Sequence, residues 1–528
     1  METFPQQHAR TRRFTVGAPR SFAIASNTKS VSYLQSSSGS DPSNKLWIHD
    51  PESQTSTVLA DPYHLKVLEG QHEISEEERS RRERVREVGS GIVAFSSSAE
   101  SSIITFTSEG TLYAINGESK EINDFETTGS VFDPRINPNG DLIAYVSDGD
   151  LRYVDSSGND LLVAGSEDPN ISYGVADFIA AEEMGRRRGH WWSPHGDRLL
   201  VTEVDNSSVL TWHILSSSDP ESSPKSLRYP KAGSSNPEVK LGVYTLEGAV
   251  FPIDWSQSAF WEYLVNVQWT EESSIYVTVQ TRNQKSMGIL RVDSNTGSVE
   301  EIYRWSDEYW VEIITGAPKI VGDRIITVED RDNAKSLVID NQPISGDDLQ
   351  VRSLVHCNEQ GVLAAVSTGP LEQHIIHFDF EGERTVFTED PGVHDAVSNG
   401  VITVIQSRNM DVHGVRTIVF EAGSPISEIQ DMSEKPNISL NVNFHRLGEN
   451  KLESVVLLPQ NHDGAMPIPV LLDPYGGPHA QRVRWAQGLF GVSQWFADQG
   501  FAVIISDGRG TPGRSPAFEK KVYGDLAT

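Results

Sequence analysis

The chain has 528 residues, beyond the usual reach of one hydrophobic core, so its length implies two or more domains or one large repeat array. Its 44 Lys and Arg stand against 74 Asp and Glu, a formal charge of -30 that disfavours nucleic acid as a partner. Cys357 is the only cysteine, which excludes intramolecular disulfides and thiol-based metal or redox motifs and leads us to expect a reducing, cytoplasmic setting.

Residues 1–20 form an N-terminal segment with basic residues but no apolar h-region. No later stretch approaches the ~18 apolar residues of a membrane span, so no membrane association is expected. From 21 to 430 one pattern recurs: a short apolar or alternating strand, a Gly/Asn/Asp/Ser turn, a second strand and a looser one. Copies include SFAIASNTKSVSYLQ from Ser21, IVAFSSSAESSIITFTSEGTLYAIN from Ile92, PRINPNGDLIAYVSDGDLRYVD from Pro134 and KIVGDRIITVEDRDNAKSLVID from Lys319. About eight such units follow one another at spacings of roughly 40 to 75 residues. Radial repetition hides the edges of antiparallel sheets, so the fold expected is mainly β, a β-propeller of seven or eight blades with eight favoured. One large irregular β-sandwich is the alternative, but it leaves the regular spacing unexplained.

Two segments break this pattern. ISEEERSRRERVREV, 74–88, reads as a short charged helix: Ser75 and Glu78 have capping-box spacing, acids fill the first turn, and Glu78 and Arg82 are an i,i+4 pair. In 176–190, ADFIAAEEMGRRRGH, Glu182 and Glu183 stand side by side. Two carboxylates about 5 Å apart repel by roughly 3 kcal/mol at an effective dielectric near 20 unless a cation or proton relieves them. Solvation on an exposed helix is the bland explanation for the pair.

Residues 431–528 change texture. ESVVLLPQ and MPIPVLLDPYGGPHAQ read as strands, AQGLFGVSQWFADQG as an amphipathic helix ended by Gly500, and FAVIISDGRG as a fully buried strand. This is the grammar of a parallel α/β sheet, here the opening part of a domain. Tyr475 follows a strand and precedes Gly476-Gly477-Pro478, so its phenol is placed to project over the sheet's carboxyl edge, where a phenol O–H can stabilise an oxyanion. A strand-end tyrosine in a turn explains the same residue without chemistry. No G-x-S-x-G elbow, H-E-x-x-H or calcium loop is present, and neither a metal nor a cofactor is expected.

FIAAEEMGRRRGHWWSP resembles the double-glutamate segment of the dipeptidyl peptidase IV branch of the prolyl oligopeptidase family, whose cytosolic and bacterial members carry a similar E-E-x-x-R-x-x-G-x-W-W-x-P string. RYPKAGSSNPEVKLGV from Arg228 is similar to the blade connection that follows it there. LLDPYGGPHAQRV and ISDGRGTPGRSPAFEKKVYGDL are similar to the opening of the family's α/β-hydrolase domain. The resemblance implies a serine exopeptidase that removes Xaa-Pro and Xaa-Ala dipeptides from peptides with free N-termini, and a homodimer of the complete protein. It gives Glu182 and Glu183 the substrate's α-ammonium, and Tyr475 the oxyanion hole. Through RERVRE it gives Arg86 the substrate carbonyl, with Arg82 and Arg84 as alternatives. The family's serine elbow, Asp and His come after YGDL and are not found in these residues, so the 528-residue chain alone is expected to be inactive; Ser493 and Ser515 do not match the elbow. A propeller protein that binds peptide N-termini without cutting them is the competing reading.

Overall fold

A computed structural model describes residues 2–25, 29–65, 74–98, 102–257, 260–271 and 273–526. Parts of the first two quoted repeats, 26–28 and 99–101, lie outside the described residues. The chain divides into two compact units, Met1–Asp61 with Gly89–Gly91 and Glu312–Thr528, and Pro62–Val88 with Ile92–Val311.

Among the described residues, eight antiparallel sheets, each a path of four strands, follow in chain order, which is blade grammar. Blades 2 to 5 (95–125, 132–164, 171–253 and 263–306) belong to the second unit, and blades 6, 7, 8 and 1 (319–343, 350–386, 393–429 and 20–60) to the first. Several of their hairpins close on two consecutive left-handed residues. Asp148-Gly149 (φ 50° and 83°) and Glu109-Gly110 (φ 50° and 81°) form two-residue loops whose twist matches the strands they join.

Apolar faces are buried between neighbouring blades. In the second unit, Leu112 and Tyr145 join blades 2 and 3, Phe132 and Leu199 join 3 and 4, and Val243 and Ile275 join 4 and 5. Trp261 is buried at the last of these seams, with Gly288 against its ring: a Cβ on Gly288 would stand 2.7 Å from the indole. We expect Gly288→Ala to cost about 1 to 3 kcal/mol by overpacking, measured as a lower urea midpoint at unchanged m. In the first unit, Val351 joins blades 6 and 7, Leu363 and Phe420 join 7 and 8, and Val31 and Tyr33 of blade 1 pack against Ile402 and Val404 of blade 8. Polar contacts seal that last seam: Gln406 Nε2 donates to Pro19 O at 2.9 Å and Gln35 Nε2 to Gln430 O at 2.8 Å.

Five α-helices lie among the described residues: α1 (Phe4–Arg10), α2 (Glu76–Arg84), α3 (Phe178–Glu183), α4 (Gly491–Asp498) and α5 (Pro516–Glu519). The first, unforeseen in the sequence, is held by Arg10 against Glu434 at 2.6 Å.

After residue 430 the strands run in the spatial order Val442–Leu447, Leu452–Leu457, Ala502–Asp507, Val470–Tyr475. Only the last pair is parallel, which corrects the expectation of a parallel sheet. A tight turn at 448–451 sends the first strand straight back along the second, and a hairpin of this length can only be antiparallel. Ala502–Asp507 alternates buried with half-buried residues instead of being fully buried, because one face packs on α4 and the cluster of Val455, Phe490 and Ala497. Val470–Tyr475 is an edge strand, and its Leu472 is 66% exposed. No helix among the described residues is long and apolar enough to cross a membrane.

Candidate active site

The double-glutamate segment is an excursion out of a single strand of blade 4. Ile171–Tyr173 and His190–Trp192 both pair with Arg198–Asp205, with Tyr173 opposite Glu203 and His190 opposite Val201. The chain therefore leaves one edge, makes residues 174–189, and rejoins the same edge. Thr202 stitches the base: its carbonyl accepts from Gly174 N, its amide donates to Gly189 O, and its hydroxyl donates to Val175 O at 2.7 Å. Gly189 is required there, since a Cβ would fall 2.2 Å from Val175 O.

At the tip is α3. Asp177 caps it by accepting from Ala180 N at 3.0 Å, Ala180 and Ala181 are buried, and Glu182 and Glu183 emerge at the C-terminal end. That end carries the negative pole of the helix dipole, and no basic residue of α3 offsets it. Two exposed carboxylates are thus held in a place that disfavours anions.

One cation comes from α2. Ser75 Oγ accepts from Glu78 N at 3.2 Å, and three glutamates fill the first turn, as helix electrostatics favours. Glu78 then occupies two arginines, Arg81 Nε at 2.6 Å and Arg82 Nε at 2.7 Å. Arg84 points away from them and donates from Nε to Glu182 Oε1 at 2.7 Å, its guanidinium 5.5 Å from the Phe178 ring centroid. Phe178 in turn meets Tyr229 edge-on at 5.4 Å.

The helix ends at Arg84, short of the expected 88. Arg86 adopts φ 52°, and Glu87 N donates back to Arg82 O at 2.7 Å, closing the helix as a left-handed cap. Arg86 is therefore exposed past the end, without a side-chain partner among the described residues, while Arg84 stands beside the glutamate pair. Glu183 likewise has no ion pair or side-chain hydrogen bond among the described residues.

Tyr475 belongs to the first unit, at the C-terminal end of the edge strand. Its carbonyl accepts from Gly508 N at 2.6 Å, and a Cβ on Gly508 would stand 3.0 Å from that oxygen, a tight contact. The loop beyond it is tied down by Asp507, which accepts from Arg482 N at 2.9 Å and Val483 N at 3.1 Å, and by Arg482 on Asp473 at 2.6 Å. The Tyr475 hydroxyl has no hydrogen-bond partner among the described residues. Ser515 and Ser493 have structural places: Ser515 Oγ caps α5 by accepting from Phe518 N at 3.3 Å, and Ser493 is buried within α4. No group of three or more His, Cys, Asp or Glu side chains among the described residues is arranged to hold a metal ion.

The family profile for the dipeptidyl peptidase IV N-terminal region matches residues 93–412, most of the blade array. The chain belongs to the dipeptidyl peptidase IV family. Among curated members, it is 25% identical over 441 residues to a probable dipeptidyl-aminopeptidase B of Aspergillus clavatus, covering 71% of this chain and 47% of that one. To the inactive dipeptidyl peptidase 10 of Rattus norvegicus it is 27% identical over 219 residues, 39% of this chain and 27% of the relative. The chain thus spans about half the length, or less, of the curated relatives it matches. The crystal structure of Porphyromonas gingivalis dipeptidyl peptidase 4 superposes with a TM-score of 0.79 at 17% identity, over 98% of this chain and 75% of that one. That likeness shows the dipeptidyl peptidase IV fold, a β-propeller followed by an α/β segment.

Proposed function

We propose that the chain is the N-terminal portion of a serine-type dipeptidyl peptidase of a reducing, cytoplasmic compartment, releasing Xaa-Pro or Xaa-Ala dipeptides from peptides with a free N-terminus. The observation that carries this reading is the charge at the end of α3. Two carboxylates sit at the negative pole of a helix, and Arg84 neutralises only one of them. An incoming R–NH₃⁺ supplies the missing charge, and an acylated N-terminus does not, so the same feature selects for an exopeptidase substrate.

In this reading Glu182 and Glu183 hold the ammonium, and Arg84, in preference to Arg86, holds the first carbonyl, because it already stands beside Glu182. Tyr475 is the oxyanion donor, supported by its unpartnered hydroxyl at the strand's carboxyl edge. The serine nucleophile and its His and Asp lie in sequence beyond Thr528, a reading supported by the exposed apolar side of Val470–Tyr475 and by the length of the relatives. Without a Ser–His pair no hydroxyl is activated at neutral pH, so the 528 residues bind without cutting. The complete protein is proposed to be a homodimer.

Calorimetric titration tests this. A Gly-Pro-Ala peptide with a free N-terminus is expected to bind at least ten times more tightly than its N-acetyl form, and Glu182→Gln with Glu183→Gln to weaken the free peptide by about 10- to 100-fold, the range of one charged hydrogen bond. Equal binding of the two peptides would sink the proposal. The similarity to inactive dipeptidyl peptidase 10 motivates a second reading, recognition without cleavage. A protein extended through any coding sequence after Thr528 separates them, since the peptidase reading requires it to hydrolyse a Gly-Pro chromogenic substrate.

A further inference from the structure

The ability of the glutamate pair to discriminate one end group from another depends on where α3 stands, and a helix of six residues on a loop has little intrinsic stability. The chain immediately after it supplies the anchor. Met184 ends the helix, Gly185 takes φ 71°, and Arg186 turns back so that its amide donates to Ala180 O at 3.1 Å. The Arg186 side chain then passes into the protein, 3% exposed, towards Asp177, 8% exposed.

There one guanidinium makes three hydrogen bonds. Nη2 donates to Asp177 Oδ2 at 2.7 Å, Nη1 to Arg188 O at 2.9 Å, and Nε to Leu264 O at 3.0 Å. The other oxygen of Asp177 is the one that caps α3. The carboxylate that starts the helix is thus gripped by the residue just past its end, and both are indexed to blade 5 through Leu264. Each polar group in this buried set is matched, the condition under which a buried ion pair specifies geometry.

We propose that Arg186 is a positioning residue for substrate recognition, setting where Glu182 and Glu183 project without touching the substrate; this rests on the reading of the pair as an ammonium site. Lysine at 186 reaches Asp177 but lacks the planar fork for the other two bonds, so Arg186→Lys keeps the charge and loses the index. Asp177→Asn keeps a capping oxygen and loses the charge.

The test is the ratio of affinities for free and N-acetyl Gly-Pro-Ala, measured on the 528-residue chain and on both variants. The fraction of folded protein cancels in this ratio, so a merely structural role leaves it unchanged. We expect the ratio to fall at least fivefold in Arg186→Lys and in Asp177→Asn; a ratio within twofold of the parent in either variant overturns the inference. A parent chain with no discrimination overturns the ammonium site itself, and the inference with it. Hydrogen exchange on the unmutated chain keeps the idea testable if both variants fail to fold. The amides of Ala180 and Arg186 are expected to be protected at least 100-fold, and exchange as fast as in an open loop refutes the clamp.

Discussion

Lys335→Met is expected to lower the stability of the first unit by about 3 to 5 kcal/mol, the cost of leaving one partner of a buried ion pair alone. Lys335, on a blade 6 strand, is 5% exposed, and its ammonium lies 3.0 Å from Glu519 of α5, which is 2% exposed, and 3.6 Å from Asp330. Lys520 extends the group by meeting the other oxygen of Asp330 at 2.5 Å, and Gly513 N donates to Glu519 at 3.3 Å. Burial already raises the Glu519 carboxyl above its ordinary value, and Lys335 is the foremost charge opposing that rise. On Lys335 itself burial acts to lower the pKa, but the facing carboxylates outweigh it and hold the proton more firmly. Methionine fills the lysine stem's space and removes the charge, so Glu519 is left to be buried ionised or to take up a proton. Protonation relieves it, so the loss, read from urea midpoints, is larger at pH 8 than at pH 5. The double change Lys335→Met, Glu519→Gln, which keeps an acceptor for Gly513, is expected to recover most of it. A loss below about 1 kcal/mol at pH 8 would mean that the pair is not desolvated.

A second large effect is acid lability beginning near pH 6.5. His190, the residue at which the excursion rejoins blade 4, is fully buried, with Nδ1 3.0 Å from Gly174 O. Burial pushes its pKa down to about 4, with Asp133 opposing the shift and Arg188 and Arg135 adding to it. Between about pH 4 and 6.5 the unfolded chain therefore binds a proton that the folded chain does not. The stabilisation is complete above pH 6.5 and is lost as pH falls towards 4, by up to about 3 kcal/mol from this residue. Burial lowers His49, His356 and His394 in the same direction. A urea midpoint that declines across this window, and declines less in His190→Asn, is the expected result; a flat parent profile from pH 6.5 to 4.5 would contradict it. The lability begins at the seam that carries the glutamate segment, so peptide binding is expected to decline over the same interval.

The blade pattern was legible because it is local: short apolar strands and a tight turn between them are written into single hairpins, as at Asp148-Gly149. The cap of α2 was legible for the same reason, since Ser75 and Glu78 are three residues apart. The arginine facing the glutamates was not. RSRRERVRE offers an arginine on nearly every face, and the choice of Arg84 depends on Glu78 engaging Arg81 and Arg82 and on a helix that stops without a glycine to announce it. Strand direction after 430 was hidden too, because apolar runs say that a strand is buried, not which way it runs, and the polar alternation of Val442–Leu447 carries little hydrophobic signal. Arg10 on Glu434 joins residues 424 apart, which no window along the sequence connects.

The seam between blades 8 and 1 has a consequence in time. Val31 and Tyr33 leave the ribosome well before the surface that covers them, Ile402 and Val404, which is made about 370 residues later, on the order of tens of seconds at ordinary rates of synthesis. Blade 1 therefore waits with an apolar face exposed while the intervening blades emerge. Blade 1 is made before the other seven yet is among the last to be finished, and the nascent protein is most prone to misassociate at that face, which blade 8 will occupy.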